Sequence, residues 1–186
     1  SFDIKISKAV KNKIKYLLAD LEIEAGQDLI AINPFTSWES KDWLQERYAQ
    51  LADRLRTALE ARVLFTGGPS DKEGVAQIMA AMDEKAHNLA GETNLEELAE
   101  LYRRLDLFIG GDTGPMHLAV AQGLKSIVLM GPTDPKTHGP YGEEHLVIQP
   151  ELKCKNCWER DCPKEEHLCM EKIRVEEVFA AVRRKL

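Results

Sequence analysis

Apolar positions along this chain follow two alternating patterns. In the first, apolar residues recur every three or four positions, as Val10, Ile14 and Leu17 do, which is typical of a helix with one buried face. In the second, short runs such as DLIAIN (28–33) and SIVLM (126–130) are almost entirely apolar. The first pattern predicts helices at 7–21, 42–59, 71–82, 94–104, 115–122 and 173–185. The second predicts strands at 28–33, 62–66, 87–89, 107–109, 126–130 and 145–148.

This alternation of strands and helices predicts the fold class. Strands that are apolar on both faces belong in the middle of a layered protein, with helices on both sides. Strand–helix–strand units of this kind form parallel sheets with right-handed crossovers. We therefore expect an α/β, Rossmann-like, doubly wound parallel sheet of about six strands. We expect residues 1–27 to form a connector and the first helix, and residues 28–186 to form one domain.

Composition narrows the choice of partners and location. The formal net charge of −6 disfavours binding to nucleic acid or to an anionic membrane through the overall field. No apolar run approaches the roughly 20 residues that span a bilayer, and the N-terminal stretch SFDIKISKAVKNK lacks the apolar core of a signal peptide. We expect a cytoplasmic protein without a transmembrane segment.

Ligands of parallel α/β sheets bind beyond the carboxyl ends of the strands, so the residues that follow each strand are the candidates. In this chain these residues are rich in Gly, Pro, Thr and Asp, which are also ordinary loop residues. Five such loops at one edge favour a ligand site over simple turns. They cover 33–41, 66–71, 90–93, 110–117 and 131–141.

The stretch DLFIGGDTGPMHL (106–118) carries the most specific of these loops. We expect Gly110 and Gly111 to let the chain leave the strand in an unusual conformation and to let a ligand approach closely. Pro115 suits the first turn of a helix. Asp112 is either an N-cap of that helix or a carboxylate that accepts hydrogen bonds from sugar hydroxyls.

Thr113 and Gly114 would then lie at the helix N-terminus, where free amides and the helix dipole favour an anion. His117, on the first helical turn, would lie close to the same point. The alternative for His117 is a buried histidine bonded to backbone. An anion site beside a carboxylate fits a nucleotide-sugar.

The longer stretch FIGGDTGPMHLAVAQGLKSIVLMGPTDPKTHGPYG closely resembles the signature region of glycosyltransferase family nine, the bacterial ADP-heptose:lipopolysaccharide heptosyltransferases. The segments INPFTSWESKDW, FTGGPSDKE and LAGETNLEELA resemble donor-side segments of the same family. The resemblance extends from about Leu29 to the C-terminus.

The resemblance implies that the chain is the C-terminal, donor-binding half of a two-domain GT-B enzyme. The implied reaction is inverting transfer of a heptose from ADP-heptose, a substrate rather than a cofactor, to the lipopolysaccharide inner core. The acceptor and the general base would come from an N-terminal domain that this chain lacks. A location at the inner face of the cytoplasmic membrane would follow from the acceptor.

The resemblance also implies roles for individual residues. Thr36, Ser37 and Lys41 would meet the diphosphate, with Lys41 and His117 stabilising the leaving group. The alternative for Lys41 is a solvated lysine at a helix start.

Further positions of the motif would bind other parts of the donor. Asp71 would bond a ribose hydroxyl or, with equal weight, serve as an N-terminal helix acid. Thr93 would contact the adenine. Asp112, Thr113 and Gly114, with His117, match the phosphate- and sugar-binding motif.

Three other functions stay open beside the heptosyltransferase. One is a different GT-B sugar-nucleotide enzyme, such as an epimerase-like enzyme that prefers a uridine nucleotide. The second, of a different class, is a non-catalytic nucleotide-sugar binding module, and the third is a metal-stabilised interaction domain.

Four cysteines lie together in CKNCWERDCPKEEHLC (154–169), at Cys154, Cys157, Cys162 and Cys169. The spacing C-x2-C-x4-C-x6-C permits a zinc or iron–sulfur site, local disulfides or free thiols. The second half of the spacing is irregular for a zinc knuckle. We expect no metal, and we expect this loop to be structural and to lie outside the chemistry.

Overall fold

The computed structural model describes residues 4–21, 23–24, 26–164 and 168–186. Its strands are β1 (Leu29–Asn33), β2 (Arg62–Phe65), β3 (His87–Asn88), β4 (Leu107–Gly111), β5 (Ser126–Leu129) and β6 (Leu146–Ile148). Its longer helices are α1 (Lys8–Ala19), α2 (Gln45–Leu59), α3 (Lys72–Ala80), α4 (Leu95–Tyr102), α5 (Gly114–Ala121) and α8 (Val175–Lys185). Two short helices are α6 (Pro135–His138) and α7 (Leu168–Glu171), and 3-10 turns occupy Glu39–Lys41 and Pro69–Asp71.

The six strands form one parallel sheet in the order β3-β2-β1-β4-β5-β6. This is the Rossmann-like, doubly wound arrangement that the sequence predicts. The strand order reverses between β1 and β4, which lie side by side in the middle of the sheet with Asn33 opposite Gly110. In such sheets the crevice for a ligand opens beyond the carboxyl ends at this reversal.

Side chains alternate between two apolar layers, one on each face of the sheet. Ile30 and Ile32 of β1 point into a layer built mainly from α2, α3 and α8, whereas Ala31 points into a layer built from α1, α4 and α5. Because both faces are covered, the inner positions of the longer strands need apolar residues on either side, which explains their apolar runs.

Helix α1 packs against the second layer. Ile14 is fully buried there. The Lys13 ammonium donates to Glu97 Oε1 at 2.8 Å, and the backbone N–H of Ser7 donates to Glu96 Oε1 at 2.8 Å. The contacts join α1 to the start of α4. The domain boundary at residue 27 stays a prediction.

The expectation that the chain leaves the strand in an unusual conformation at Gly110 and Gly111 is wrong. Both glycines are the last residues of β4 rather than the start of a turn. A Cβ on Gly110 would lie 2.8 Å from the carbonyl oxygen of Asn33, and a Cβ on Gly111 would lie 2.9 Å from Cγ2 of Thr36. Close packing of β4 against β1 and its following loop therefore requires glycine here, not an unusual backbone conformation.

Within the described ranges, every helix is too short or too polar to cross a bilayer.

Candidate functional site

A cavity of about 320 Å³ opens beyond the carboxyl ends of the central strands. Three of the predicted ligand loops contribute to it: the loops after β1, β2 and β4. Its walls are formed by Asn33, Phe35, Thr36, Ser37, Gly68, Asp71, Thr113, Gly114 and Pro115. The structure thus brings Thr36, Ser37, Asp71, Thr113 and Gly114 together at the strand-order reversal, where the fold favours ligand binding.

Lys41 forms a buried ion pair with Asp112. Its ammonium lies 2.8 Å from Oδ2 of Asp112, and both side chains are almost completely buried. The ammonium also lies 4.3 Å from the centre of the Trp38 ring, a cation–π contact. The alternative of a solvated lysine at a helix start is therefore wrong. Lys41 ends a 3-10 turn, and α2 begins only at Gln45.

Asp112 keeps acceptor capacity beyond this ion pair. Its Oδ1 lies 3.7 Å from Nε2 of His117, which is longer than a hydrogen bond. A carboxylate has about four lone-pair positions, and among the described residues only the Lys41 ammonium makes a strong hydrogen bond to it. The imidazole of His117 is exposed, so the alternative of a buried histidine bonded to backbone is also wrong.

Helix α5 begins directly beside this pair. Thr113 is its N-cap residue, but the threonine side chain makes no capping hydrogen bond. Apart from its chain neighbours and the backbone of α5 itself, no heavy atom of the described residues would lie within 4 Å of a Cβ on Gly114, so the backbone there is open to an approaching group. The first amides of α5 and its dipole favour an anion at this point. Pro115 lies in the first turn, as the sequence predicts.

The hydroxyl of Thr36 belongs to a local turn. It donates to the carbonyl oxygen of Trp38 at 2.8 Å and accepts from the Trp38 amide at 3.1 Å. The backbone N–H of Thr36 donates to Oδ1 of Asp42 at 2.8 Å. Burial raises the pKa of Asp42 to about 6, although the hydrogen bonds from Thr36 oppose that rise. Thr36 therefore shapes the loop, whereas Ser37 is exposed at its tip.

Asp71 and Thr93 differ in their position relative to the cavity. Asp71 lines the cavity, and its Oδ2 accepts from the Gly68 amide at 2.7 Å, so it both stabilises the turn and faces the site. Thr93 is half-buried in the loop before α4, and the cavity lining does not include it.

Sequence reasoning assigned no individual role to Asn33, a cavity residue with which the candidate loop 33–41 begins. It is buried at the end of β1, and its Nδ2 donates to the carbonyl oxygen of Thr66 at 2.8 Å. Its Oδ1 is buried and has no hydrogen-bond partner within the part of the chain that the structure describes. The sequence signal that could have identified it is its position: it is a polar residue at the end of an apolar strand, at the carboxyl edge of the sheet where ligands bind.

The cysteine loop lies against this site. The structure joins none of the four cysteines, which are all described, by a disulfide. Burial raises the pKa of the Cys169 thiol, and Cys157 and Cys162 lie close enough to raise it further. Among the described side chains, no three potential ligands converge on a metal position, and residues 165–167 of this loop lie outside the described ranges. The expectation of no metal stays a prediction.

The expectation that this loop is structural and lies outside the chemistry stays a prediction, although the loop contacts a segment of the candidate site. Oγ of Ser40, next to Lys41, donates to the carbonyl oxygen of Glu159 at 2.7 Å. The amide of Ser40 donates to the carbonyl oxygen of Arg160 at 3.3 Å. The loop therefore touches the segment that carries Lys41.

Similar proteins agree with this architecture. Lipooligosaccharide heptosyltransferase 2 of Campylobacter jejuni is 27% identical over 88% of this chain and 53% of its own length. Lipopolysaccharide core heptosyltransferase OpsX of Haemophilus influenzae is 34% identical over 72% of this chain and 39% of its own length. The crystal structure of a family 9 glycosyl transferase from Veillonella parvula superimposes with a TM-score of 0.89, at 26% identity, over 99% of this chain and 53% of that one.

The chain thus spans about half the length of these relatives or less. The family model of glycosyltransferase family 9 (heptosyltransferase) matches residues 3–168, which include every candidate site residue. The chain belongs to glycosyltransferase family 9.

Proposed function

We propose that this chain is the donor-binding half of an inverting glycosyltransferase that moves a heptose from ADP-heptose to the lipopolysaccharide inner core. Membership of family 9 and the names of the Campylobacter jejuni and Haemophilus influenzae relatives, both heptosyltransferases, support the reaction class. The single observation that carries the proposal is the buried Lys41–Asp112 pair beside the open N-terminus of α5.

The diphosphate of the donor would lie between Lys41 and the first amides of α5. An ammonium has three N–H donors. One of them contacts Oδ2 of Asp112 at 2.8 Å, and a weaker contact of 3.4 Å reaches the Asp112 carbonyl, so a further donor is available for a phosphate oxygen. Amides of Thr113 and Gly114 would supply partial positive charge from the other side. These groups stabilise the negative charge that develops as the diphosphate leaves.

The sugar would lie toward Asp112. The free lone pairs of its carboxylate can accept hydrogen bonds from heptose hydroxyls. Lys41, 2.8 Å away, supplies the opposite charge that a buried carboxylate requires. His117, exposed on the first turn of α5, would donate to a phosphate or sugar oxygen from the open side.

The reaction is a displacement at the anomeric carbon. An acceptor hydroxyl oxygen forms a bond to this carbon while its bond to the diphosphate oxygen breaks. ADP leaves with the electron pair, and the hydroxyl proton passes to a general base. We assign the base and the acceptor site to a second domain, since the relatives are about twice as long as this chain. An acceptor in the lipopolysaccharide core would make the inner face of the cytoplasmic membrane the place of action.

The remaining site residues would complete donor binding. Asp71 at the cavity wall is suited to a ribose hydroxyl, and Ser37 to the diphosphate. Thr93 would contact the adenine only from the edge of the site, since it does not line the cavity. No cofactor enters this scheme, because ADP-heptose is consumed as a substrate.

Calorimetry and a transfer assay test the proposal. The 186-residue chain should bind ADP and ADP-heptose but transfer no heptose by itself, because positioning of both reactants needs the second domain. Supplying an acceptor-binding half, fused or as a partner, should restore transfer. Donor binding without transfer in the joined protein would instead favour a non-catalytic binding module. Absence of ADP binding would refute both.

A further inference from the structure

The cysteine-containing loop bridges the two sides of the candidate site. The amide of Trp158 donates to the carbonyl oxygen of Pro132, in the loop after β5, at 2.9 Å. The next two carbonyls, those of Glu159 and Arg160, accept from Ser40 in the loop after β1. Strand β4, which leads into Asp112, lies between β1 and β5 in the sheet. Residues 158–160 therefore connect the loops that flank the strand of Asp112; we call them the brace.

The brace also reaches Lys41 through a side chain. The Arg160 guanidinium lies 5.3 Å from the centre of the Trp38 ring, and the Lys41 ammonium lies 4.3 Å from the same centre. The backbone of Trp38 is held in turn by the two hydrogen bonds with the Thr36 hydroxyl. One indole ring thus connects the brace to the cation of the candidate diphosphate site.

The backbone of Lys41 is fixed by the same contacts. Its amide donates to the carbonyl oxygen of Trp38 at 2.9 Å. The preceding residue, Ser40, is buried and makes both of its hydrogen bonds to the brace. A lysine side chain has four rotatable bonds, so an anion site that uses it benefits when the backbone and the ring beside it are already fixed.

We propose that Ser40, Trp38 and the brace position Lys41 for the diphosphate, so that the cysteine-containing loop is a working part of the donor site. This inference rests on the proposed function, since it assigns the diphosphate to Lys41. Ser40 and Trp38 are positioning residues that act through Lys41, and the brace carries a second cation, Arg160, to the same edge.

Calorimetry with ADP and adenosine distinguishes positioning from general stability. Ser40→Ala removes the hydrogen bond to Glu159 and should weaken ADP binding about three- to tenfold while leaving adenosine binding unchanged. Ser126→Ala is the matched control. Its hydroxyl is also buried and donates to a backbone carbonyl, that of Leu124, but at the opposite end of the sheet. This control should lower thermal stability to a similar extent without changing ADP affinity.

A double-mutant cycle tests whether Ser40 acts through Lys41. On a Lys41→Ala background, Ser40→Ala should have no further effect on ADP affinity, because the group that it positions is gone. Arg160→Ala should weaken ADP binding more than Lys155→Ala does. Lys155 lies in the same loop but pairs with Glu151 instead of contacting the brace.

The possible outcomes separate this inference from the proposed function. If the wild-type chain binds ADP but Ser40→Ala weakens ADP and adenosine equally, or adds its full effect to Lys41→Ala, then the positioning role is refuted and the proposed function stands. If the wild-type chain does not bind ADP, the proposed function fails and the positioning role fails with it.

Discussion

Two lysine–carboxylate pairs with nearly equal N–O distances lie at the carboxyl edge of the sheet, but one pair is buried and the other is exposed. Lys41 and Asp112 are 2.8 Å apart, and their side chains are 10% and 5% exposed. Lys72 and Glu92 are 2.7 Å apart, and their side chains are 61% and 46% exposed. The first pair joins the loops after β1 and β4, and the second joins the start of α3 to the loop after β3.

The difference in burial changes what each pair can do. Exposed pairs contribute little to stability because water and salt screen them. The Lys72 ammonium does lower the pKa of Glu92, but through an exposed hydrogen bond. A buried pair has lost its hydration, and each charge then depends on its partner. A chain with a net charge of −6 can attract an anion at Lys41 only through such local arrangements.

The largest expected effect is on stability. Asp112→Ala leaves the buried Lys41 ammonium without its partner and should lower the free energy of unfolding by about 3–5 kcal/mol. The matched variant, Glu92→Ala, should leave the free energy of unfolding nearly unchanged. Urea unfolding followed by circular dichroism measures both. Similar losses in the two variants would mean that burial does not distinguish the pairs.

The second largest expected effect is on the affinity for ADP. Lys41→Ala should weaken ADP binding by about 1.5–3 kcal/mol, the range for a hydrogen bond to a charged group, while adenosine binding stays the same. Lys72→Ala removes an equally charged lysine from the exposed pair and should change neither affinity appreciably. Calorimetry at one fixed salt concentration gives all of these values. An unchanged ADP affinity in Lys41→Ala would mean that the buried pair has a structural role and does not bind the diphosphate.

The smallest expected effect is on the pH dependence of stability, and it arises from Asp42, a half-buried acid in the same loop as Lys41. Burial raises the pKa of Asp42 to about 6, so the folded state holds its proton more tightly than the unfolded chain does. This contribution to stability is therefore fully present below about pH 4 and is lost as pH rises through about 6.

Asp42→Asn removes that titration but can keep the hydrogen bond from the Thr36 amide. The variant should gain stability relative to the wild type as pH rises from 4 to 7, measured by urea unfolding at several pH values. A constant difference across this range would show that Asp42 does not titrate there.

Much of the fold was predictable because burial on both faces leaves a simple signal. Strands β1, β2 and β5 each contain three consecutive buried apolar residues, and five of the six longer helices show apolar residues at helical spacing. Strand β3 is only two residues long, so its signal is weak. The end of β4 was misjudged because glycine is a common turn residue. The reason for Gly110 lies in the carbonyl of Asn33, which comes within reach only through the register of β4 with β1.

The site was predictable as a set of residues but not as a set of contacts. Lys41 and Asp112 were both identified from the family motif. Their pairing across 71 residues depends on the neighbouring positions of β1 and β4, which no local pattern records. The contact between Ser40 and the cysteine loop spans 119 residues and was not predicted for the same reason.

A crystal structure of the chain with ADP tests the central claim most directly. The account predicts that an oxygen of the diphosphate lies within about 3.2 Å of Nζ of Lys41 and close to the first amides of α5. Such a structure should also leave the Lys41–Asp112 contact in place, because the ammonium has donors for both partners. ADP with its phosphates away from Lys41, or seated in the separate cavity lined by Asp28, Asp106 and Lys125 at the other end of the sheet, would contradict the account.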